Sequence, residues 1–275
     1  MARPWETLDT AHTPDGKLEL RRRGERDFLL TIGGRVLMTS VGHRSEDALA
    51  KLACADVVTQ PGARVLIGGL GMGFTLRAAL DVLRPDARVT VVELNEVVVR
   101  WCRQHLAGLT DHAVDEPRTA LVHWDVSQVL AQLGSRSEAG GLDVVMIDLY
   151  EGPQTRLSPR HPLYGVQAAR NVFSALAPGG TYAVWCEQRS LAFEGFLRAA
   201  GFVVSTEKAG YGERVHRIYV AKRPTSRAAR APRPKPAPES NRRPAPPLPL
   251  PPLGDDASSA QAESNAPTAS SRFSA

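Results

Sequence analysis

Apolar runs of strand length recur along the middle of the chain, each followed by a polar-studded stretch of helical length. ARVLIGG (63–69), ARVTVVEL (87–94), TALVHW (119–124), LDVVMIDLY (142–150) and GTYAVWC (180–186) are short, dense in Val, Ile and Leu, and bounded by polar or turn residues. Those features mark strands. The stretches 74–83, 95–107, 126–133 and 165–177 read as helices. Strands that are apolar throughout, alternating with helices, imply a parallel sheet covered on both faces and wound by right-handed crossovers. LAFEGFLRAAG (191–201) reads as one more helix. FVVSTEK (202–208) and VHRIYVAK (215–222) read as two strands joined through GYGE (210–213).

A mostly parallel α/β sheet that ends in an antiparallel hairpin is the pattern of class I methyltransferase-like (Rossmann-like) domains rather than of dehydrogenases. Ahead of it the pattern differs. Residues 17–40 read as short strands, and DFLLTIGGRVLMTS turns at Gly33-Gly34, a hairpin signal. SEDALAKLACADVV (45–58) follows as a helix, with Ser45 as its N-cap and Ala48, Leu49, Leu52, Ala53 and Val57 at helical spacing. The organisation expected is a small N-terminal β segment (1–44), an α/β domain (45–222) and a tail (223–275).

The tail changes how the charge is read. The chain of 275 residues has 34 Lys/Arg and 29 Asp/Glu; nine and four of these fall from Lys222 onward, leaving 25 of each in 1–221. The whole excess of +5 therefore belongs to the tail, and the folded part has no basic balance that would argue for nucleic acid. The tail is rich in Pro, Ser and Ala and lacks the apolar surface to offset its ordering entropy. It is expected to be disordered, with polyproline II character near 244–252. PAPPLPLPPL either docks on an aromatic groove of a partner or serves as a solubilising extension. Cys54, Cys102 and Cys186 are an odd, scattered set that fits neither a disulfide framework nor a zinc site. No run approaches the ~18 apolar residues of a membrane span, and no stretch reads as a signal peptide. A cytoplasmic protein without a metal or a membrane partner is expected.

In sheets of this kind ligands bind at the carboxyl ends of the strands, at the switch point, which singles out four places. GGLGMG follows the first strand of the sheet. Gly68, Gly69 and Gly71 let backbone approach a nucleotide without a Cβ, or else serve tight packing. Glu93 ends the second strand, roughly twenty residues on, where an acid can accept both ribose hydroxyl hydrogens. Asp125 ends the third, placed to accept from an adenine amino group, to cap the next helix, or both. Asp148 ends the fourth, where the reacting atom would lie, and Tyr150 and Glu151 follow it. A pair of acids with a tyrosine suits a cationic substrate.

Over roughly 27–221 these residues resemble the spermidine synthase (polyamine aminopropyltransferase) family. The resemblance rests on IGGLGMGFTLRAAL, VVELNEVVV, Asp125, DVVMIDLYEGP and the upstream RVLMTS and SEDALAKL. It implies decarboxylated S-adenosylmethionine as co-substrate, transfer of its aminopropyl group to an amine, and a homodimer as family members commonly form. Carried over, Glu93 holds the ribose, Asp125 the adenine edge, and Asp148 is the general base. Glu46, Glu151 and Tyr164 (in HPLYG) fall to the amine, beside Tyr150. Synthases of the family carry GGGDGG where this chain has GGLGMG, so Gly71 or Met72 stands in place of the Asp. Leu49, Ala50 and Lys51 stand where the family has Tyr, His and Glu, and Met38 where it has a nucleotide-contacting Gln. Three readings follow: an aminopropyltransferase with an altered amine, a methyltransferase using intact S-adenosylmethionine, and a non-catalytic nucleotide-binding or scaffold protein.

Overall fold

The computed structural model describes residues 3–135, 141–211 and 214–225. Four antiparallel strands come first, β1 (Glu6–Thr13), β2 (Gly16–Arg23), β3 (Asp27–Ile32) and β4 (Arg35–Thr39), paired in chain order. The Gly33-Gly34 hairpin joins β3 to β4, and both glycines have positive φ. The second sheet is built from β5 (Arg64–Gly68), β6 (Arg88–Glu93), β7 (Thr119–His123), β8 (Leu142–Ile147), β9 (Leu176–Cys186), β10 (Val203–Tyr211) and β11 (Arg214–Lys222). Its order is β10-β11-β9-β8-β5-β6-β7. The pairs among β5 to β9 are parallel, and β11 and β10 are antiparallel. The class I methyltransferase-like expectation is therefore met, terminal hairpin included.

Six helices, α1 (Arg44–Cys54), α2 (Phe74–Val82), α3 (Glu96–Gln104), α4 (Val126–Ser135), α5 (Val166–Ala175) and α6 (Leu191–Ala199), cover this sheet on both faces. Along β5, Val65 and Ile67 join the core made with α1, α2 and α3, while Leu66 joins the core made with α4, α5 and α6. β8, with helices on either side, is buried at all six positions. Apart from Asp143, each of these side chains contributes roughly 1.5–3 kcal/mol relative to exposure. The continuous apolar run in the sequence is the direct result.

The two sheets pack as one compact unit. Asp9 on β1 fastens them together: its Oδ2 accepts from Trp101 Nε1 at 2.7 Å and from Arg100 Nη2 at 2.9 Å, both on α3. Those two donors hold the Asp9 carboxyl down to about 2.

Three local expectations need correction. α1 begins two residues early, with His43 rather than Ser45 at its N-cap, and ends at Cys54, short of Val57. The Ser45 hydroxyl is turned inward and donates to Glu46 Oε2 at 2.6 Å. The helix read over 165–177 stops at Ala175, and β9 starts at Leu176, where Leu176 pairs with Leu142. Pro178 accounts for the stop, since it cannot donate and biases the residue before it away from helix. β1, whose ETLDTAHT carries no apolar run, was not expected as a strand. Residues 212–213 of GYGE and the tail from Ser226 onward lie outside the described residues. Among the described residues no helix is long and apolar enough to cross a membrane.

Candidate active site

β5 and β8 are neighbours in the sheet, and the chain leaves them for opposite faces, so their carboxyl ends open a crevice. The two ends are tied together by Asp148 N–H donating to Gly68 O at 2.9 Å. A cleft of about 380 Å³ lies there, walled by β3 and β4 on one side and by the loops after β5, β6, β7 and β8 on the other.

Gly69 (φ +94°) makes the first turn out of β5; a Cβ on it would stand 2.3 Å from Asp148 O. Only a bare backbone fits between the strand end and the cleft. Gly71 (φ +54°) also lines the cleft, and a Cβ there would meet Met38 Sδ at 3.0 Å. Gly68 behaves differently. It is not in the cleft wall; a Cβ on it would strike Val126 Cγ2 at 2.7 Å and Ile147 Cδ1 at 2.8 Å. Its smallness serves packing of α4 on the sheet rather than contact with a ligand.

Glu93 closes β6 with its carboxylate in the cleft wall. Leu70 N–H donates to Oε2 at 2.9 Å and Asn95 N–H to Oε1 at 2.8 Å. Both oxygens are therefore oriented by backbone. Burial pushes the Glu93 carboxyl up against these two hydrogen bonds. Asp125 lies at the start of α4 and accepts from Ser127 N–H on Oδ1 at 2.7 Å. It caps that helix while also lining the cleft beside Trp124.

Asp148 stands just past β8. Thr75, the second residue of α2, donates its hydroxyl to Asp148 Oδ2 at 2.5 Å. Burial pushes the Asp148 carboxyl up to about 7, the neighbouring Glu46 carboxylate pushes in the same direction, and the Thr75 hydroxyl opposes both. Glu46 comes from the first turn of α1, which packs across β8 and β9 and so delivers a second acid to the strand end. Its orientation is set by Ser45, whose Oγ also meets His216 Nδ1 of β11 at 3.2 Å.

The loop after β8 holds the remaining residues. Tyr164 is buried; it donates its hydroxyl to Glu151 O at 2.8 Å and stacks on His161. His161 Nδ1 accepts from the Leu163 and Tyr164 N–H groups, which fixes HPLY as a rigid turn. Tyr150 is exposed at the rim. The Glu151 carboxylate points to Arg35 of β4, with Oε1 2.9 Å from Nη2, and the guanidinium lies 5.2 Å from the centre of the Tyr150 ring.

Sequence reasoning missed Thr75, Arg35, His161 and Ser45. Thr75 had a signal, since a helix that starts after a glycine turn at a strand end aims its first side chains back at the neighbouring strand. Arg35 had none.

A polyamine aminopropyltransferase of Aeropyrum pernix is 36% identical over 123 residues, which is 43% of this chain and 36% of that protein. One from Synechococcus sp. is 29% identical over 140 residues, 50% of this chain and 42% of that protein. The chain thus spans less than half the length of these two curated relatives. Two solved structures share the fold: a spermidine synthase from Thermotoga maritima (TM-score 0.60, 16% identity, 80% of this chain and 74% of that one) and a spermidine synthase in complex with the transition state analogue AdoDATO (TM-score 0.60, 16% identity, 80% and 73%). Residues 47–194 match the model of the spermine/spermidine synthase domain, a span that runs from α1, through the glycine turn, Glu93, Asp125 and Asp148, into α6 and so assigns this chain to the spermine/spermidine synthase family.

Proposed function

We propose that the protein transfers an aminopropyl group from decarboxylated S-adenosylmethionine to an amine. The observation that carries this reading is the Asp148 carboxylate at the strand end where β5 and β8 part, held by the Thr75 hydroxyl at 2.5 Å and facing the same cleft as Glu93. In this reading Gly69 and Gly71 admit the donor, Glu93 takes the ribose hydroxyls and Asp125 the adenine edge.

An amine with a pKa near ~10 is almost wholly protonated at pH 7 and is not a nucleophile. Asp148 and Glu46 bind the ammonium, and Asp148 takes its proton, a contribution of about 10²–10⁴. The freed lone pair forms the new C–N bond at the carbon next to the sulfonium. The C–S bond breaks with its electrons going to sulfur, leaving a neutral thioether, methylthioadenosine. Holding amine and carbon in line contributes further by proximity. Cys54, Cys102 and Cys186 are buried free thiols, which suits a reducing compartment such as the cytosol.

One observation favours a second reading. The wall at Gly71 offers the thioether of Met38 and no acid. A donor that keeps its carboxylate, intact S-adenosylmethionine, meets no like charge there. Calorimetric titration with both donors, followed by incubation of the preferred one with a panel of amines, separates the two. Release of methylthioadenosine from the decarboxylated donor supports aminopropyl transfer. Preference for the carboxylated donor with methyl transfer overturns it.

A further inference from the structure

The ends of β6 and β7 are laced together beside Glu93. Trp124 N–H donates to Glu93 O at 3.1 Å, and His123 Nε2 donates to Leu94 O at 2.7 Å. These bonds hold the first residues past the two strands, Leu94 and Trp124, on the same stretch of the cleft wall. Both carry large apolar side chains that the core does not absorb. Leu94 is 53% exposed; Trp124 is half-buried, packing on the core made with α4, α5 and α6 while also lining the cleft. The indole is fixed in rotation as well, since its Nε1 donates to Gln128 Oε1, four residues on in α4, at 2.9 Å. Apolar surface left facing water in a fixed orientation carries a cost that a flat ring laid on it removes.

The sheet order says which ring. Along the cleft the strand ends run β8, β5, β6, β7, so Asp148, Gly69, Glu93 and Trp124 follow in that order. With neighbouring strands 4.7–4.9 Å apart, the glycine turn of β5 and the end of β7 are separated by about 10 Å, a distance that a nucleoside bridges from its 5′ carbon to its base. With the ribose on Glu93, the base falls at β7, where Asp125 meets its edge and Trp124 its face. An edge contact distinguishes one base from another. A face contact does not, because every base has a π face.

We propose that Trp124, with Leu94 beside it, is the stacking seat for the purine of the donor: the indole supplies affinity for the base, and Asp125 supplies the choice of adenine. This rests on the donor half of the transfer reading above, and it holds for the decarboxylated and the intact donor alike.

The full chain is titrated calorimetrically with methylthioadenosine and with methylthioinosine, which has a carbonyl in place of the adenine amino group. Trp124→Leu is expected to weaken both by about tenfold or more, and by factors within about twofold of each other, whereas Trp124→Phe keeps a flat face and costs about threefold or less. Asp125→Asn keeps its helix cap through the remaining oxygen and is expected to weaken methylthioadenosine more than methylthioinosine. Trp124 is one of four tryptophans. The change in tryptophan emission on adding methylthioadenosine is expected to fall by at least about half in Trp124→Phe. Thermal melting checks that each variant is folded, and if Trp124→Leu is not, the emission change in the parent and in Trp124→Phe decides. The proposal is overturned if neither nucleoside binds the parent, if Trp124→Leu binds as tightly as the parent, if Trp124→Phe is as weak as Trp124→Leu, or if the emission change is undiminished. Equal losses on both nucleosides from Asp125→Asn overturn the division between face and edge. Transfer is assayed separately, by release of methylthioadenosine from the decarboxylated donor. If transfer fails and the order of nucleoside binding holds, the catalytic reading falls and the stacking seat stands; transfer with a Trp124→Leu variant that binds like the parent sinks the stacking seat alone.

Discussion

Asp148→Asn is expected to stabilise the protein, and to do so in a pH-dependent way. The Asp148 carboxyl is raised from 3.8 to about 7 by burial and by Glu46. The folded state therefore holds its proton more tightly than the unfolded chain. Below pH 4 both states are protonated and the group has no effect. Between pH 4 and pH 7 the unfolded chain loses its proton first, so stability falls as pH rises. Above pH 7 both states are ionised and the full penalty applies. A shift of about three units corresponds to about 4 kcal/mol, of which roughly 2.5 kcal/mol develops between pH 5 and pH 8. Asn cannot ionise and escapes it. Urea unfolding of parent and variant at pH 5 and pH 8 reads the difference directly. The gain from Asp148→Asn is expected to be larger at pH 8 by about 2.5 kcal/mol, or on the order of 5–10 °C in Tm. A gain that is equal at the two pH values, or a loss at pH 8, would refute the assignment of a buried, repelled carboxylate. Glu46→Gln supplies the control. It removes the repelling charge, so the pH dependence attributable to Asp148 is expected to shrink.

Three other outcomes are expected. Gly69→Ala places a methyl group 2.3 Å from Asp148 O on a left-handed backbone; a loss of more than about 2 kcal/mol in urea unfolding is expected, together with loss of methylthioadenosine binding. Glu93→Gln offers one acceptor where Leu70 and Asn95 need two, so calorimetry is expected to give an affinity for methylthioadenosine weaker by about tenfold or more. Asp9→Ala removes the acceptor of Trp101 and Arg100 and is expected to lose about 1–2 kcal/mol at pH 7. Because the Asp9 carboxyl is lowered to about 2, that stability is present above pH 4 and fades as pH falls toward 2, so parent and variant converge there.

The parts of the fold that were legible are those in which burial dictates residue type on both faces. β5, β6 and β8 are parallel strands inside the sheet, and apart from Thr90 of β6 their interior positions are buried. β1 was illegible for the opposite reason. Its residues are half-exposed along their length, so ETLDTAHT carries no period that distinguishes a strand from a loop. The site divides the same way. Glu93, Asp125 and Asp148 stand at strand ends, and their placement follows from the strands alone. What acts on them does not. The partner that raises Asp148, Glu46, is 102 positions earlier on a helix folded across the sheet. His216 reaches Ser45 across 171 positions and Arg35 reaches Glu151 across 116. Local pattern has no access to pairings of that length.

The departures from the family pattern prove to be coupled rather than scattered. The resemblance places Met38 where the family has a nucleotide-contacting Gln, and Gly71 or Met72 where it has the Asp of the glycine loop. In the structure Met38 Sδ accepts from Met72 N–H at 3.2 Å and would meet a Cβ on Gly71 at 3.0 Å. A side chain at 71 would press on that thioether, so the two positions are in contact. Arg35, three residues before Met38 on the same strand, engages the acid that the β8 loop still carries. A single strand, β4, therefore touches both the glycine turn, through Met38, and the β8 loop, through Arg35. The acids that line the cleft are Asp15, Glu46, Glu93, Asp125, Asp148 and Glu151, and of these Glu151 is the one held by an arginine. That arginine and Met38 both come from β4, ahead of residues 47–194 that match the family model.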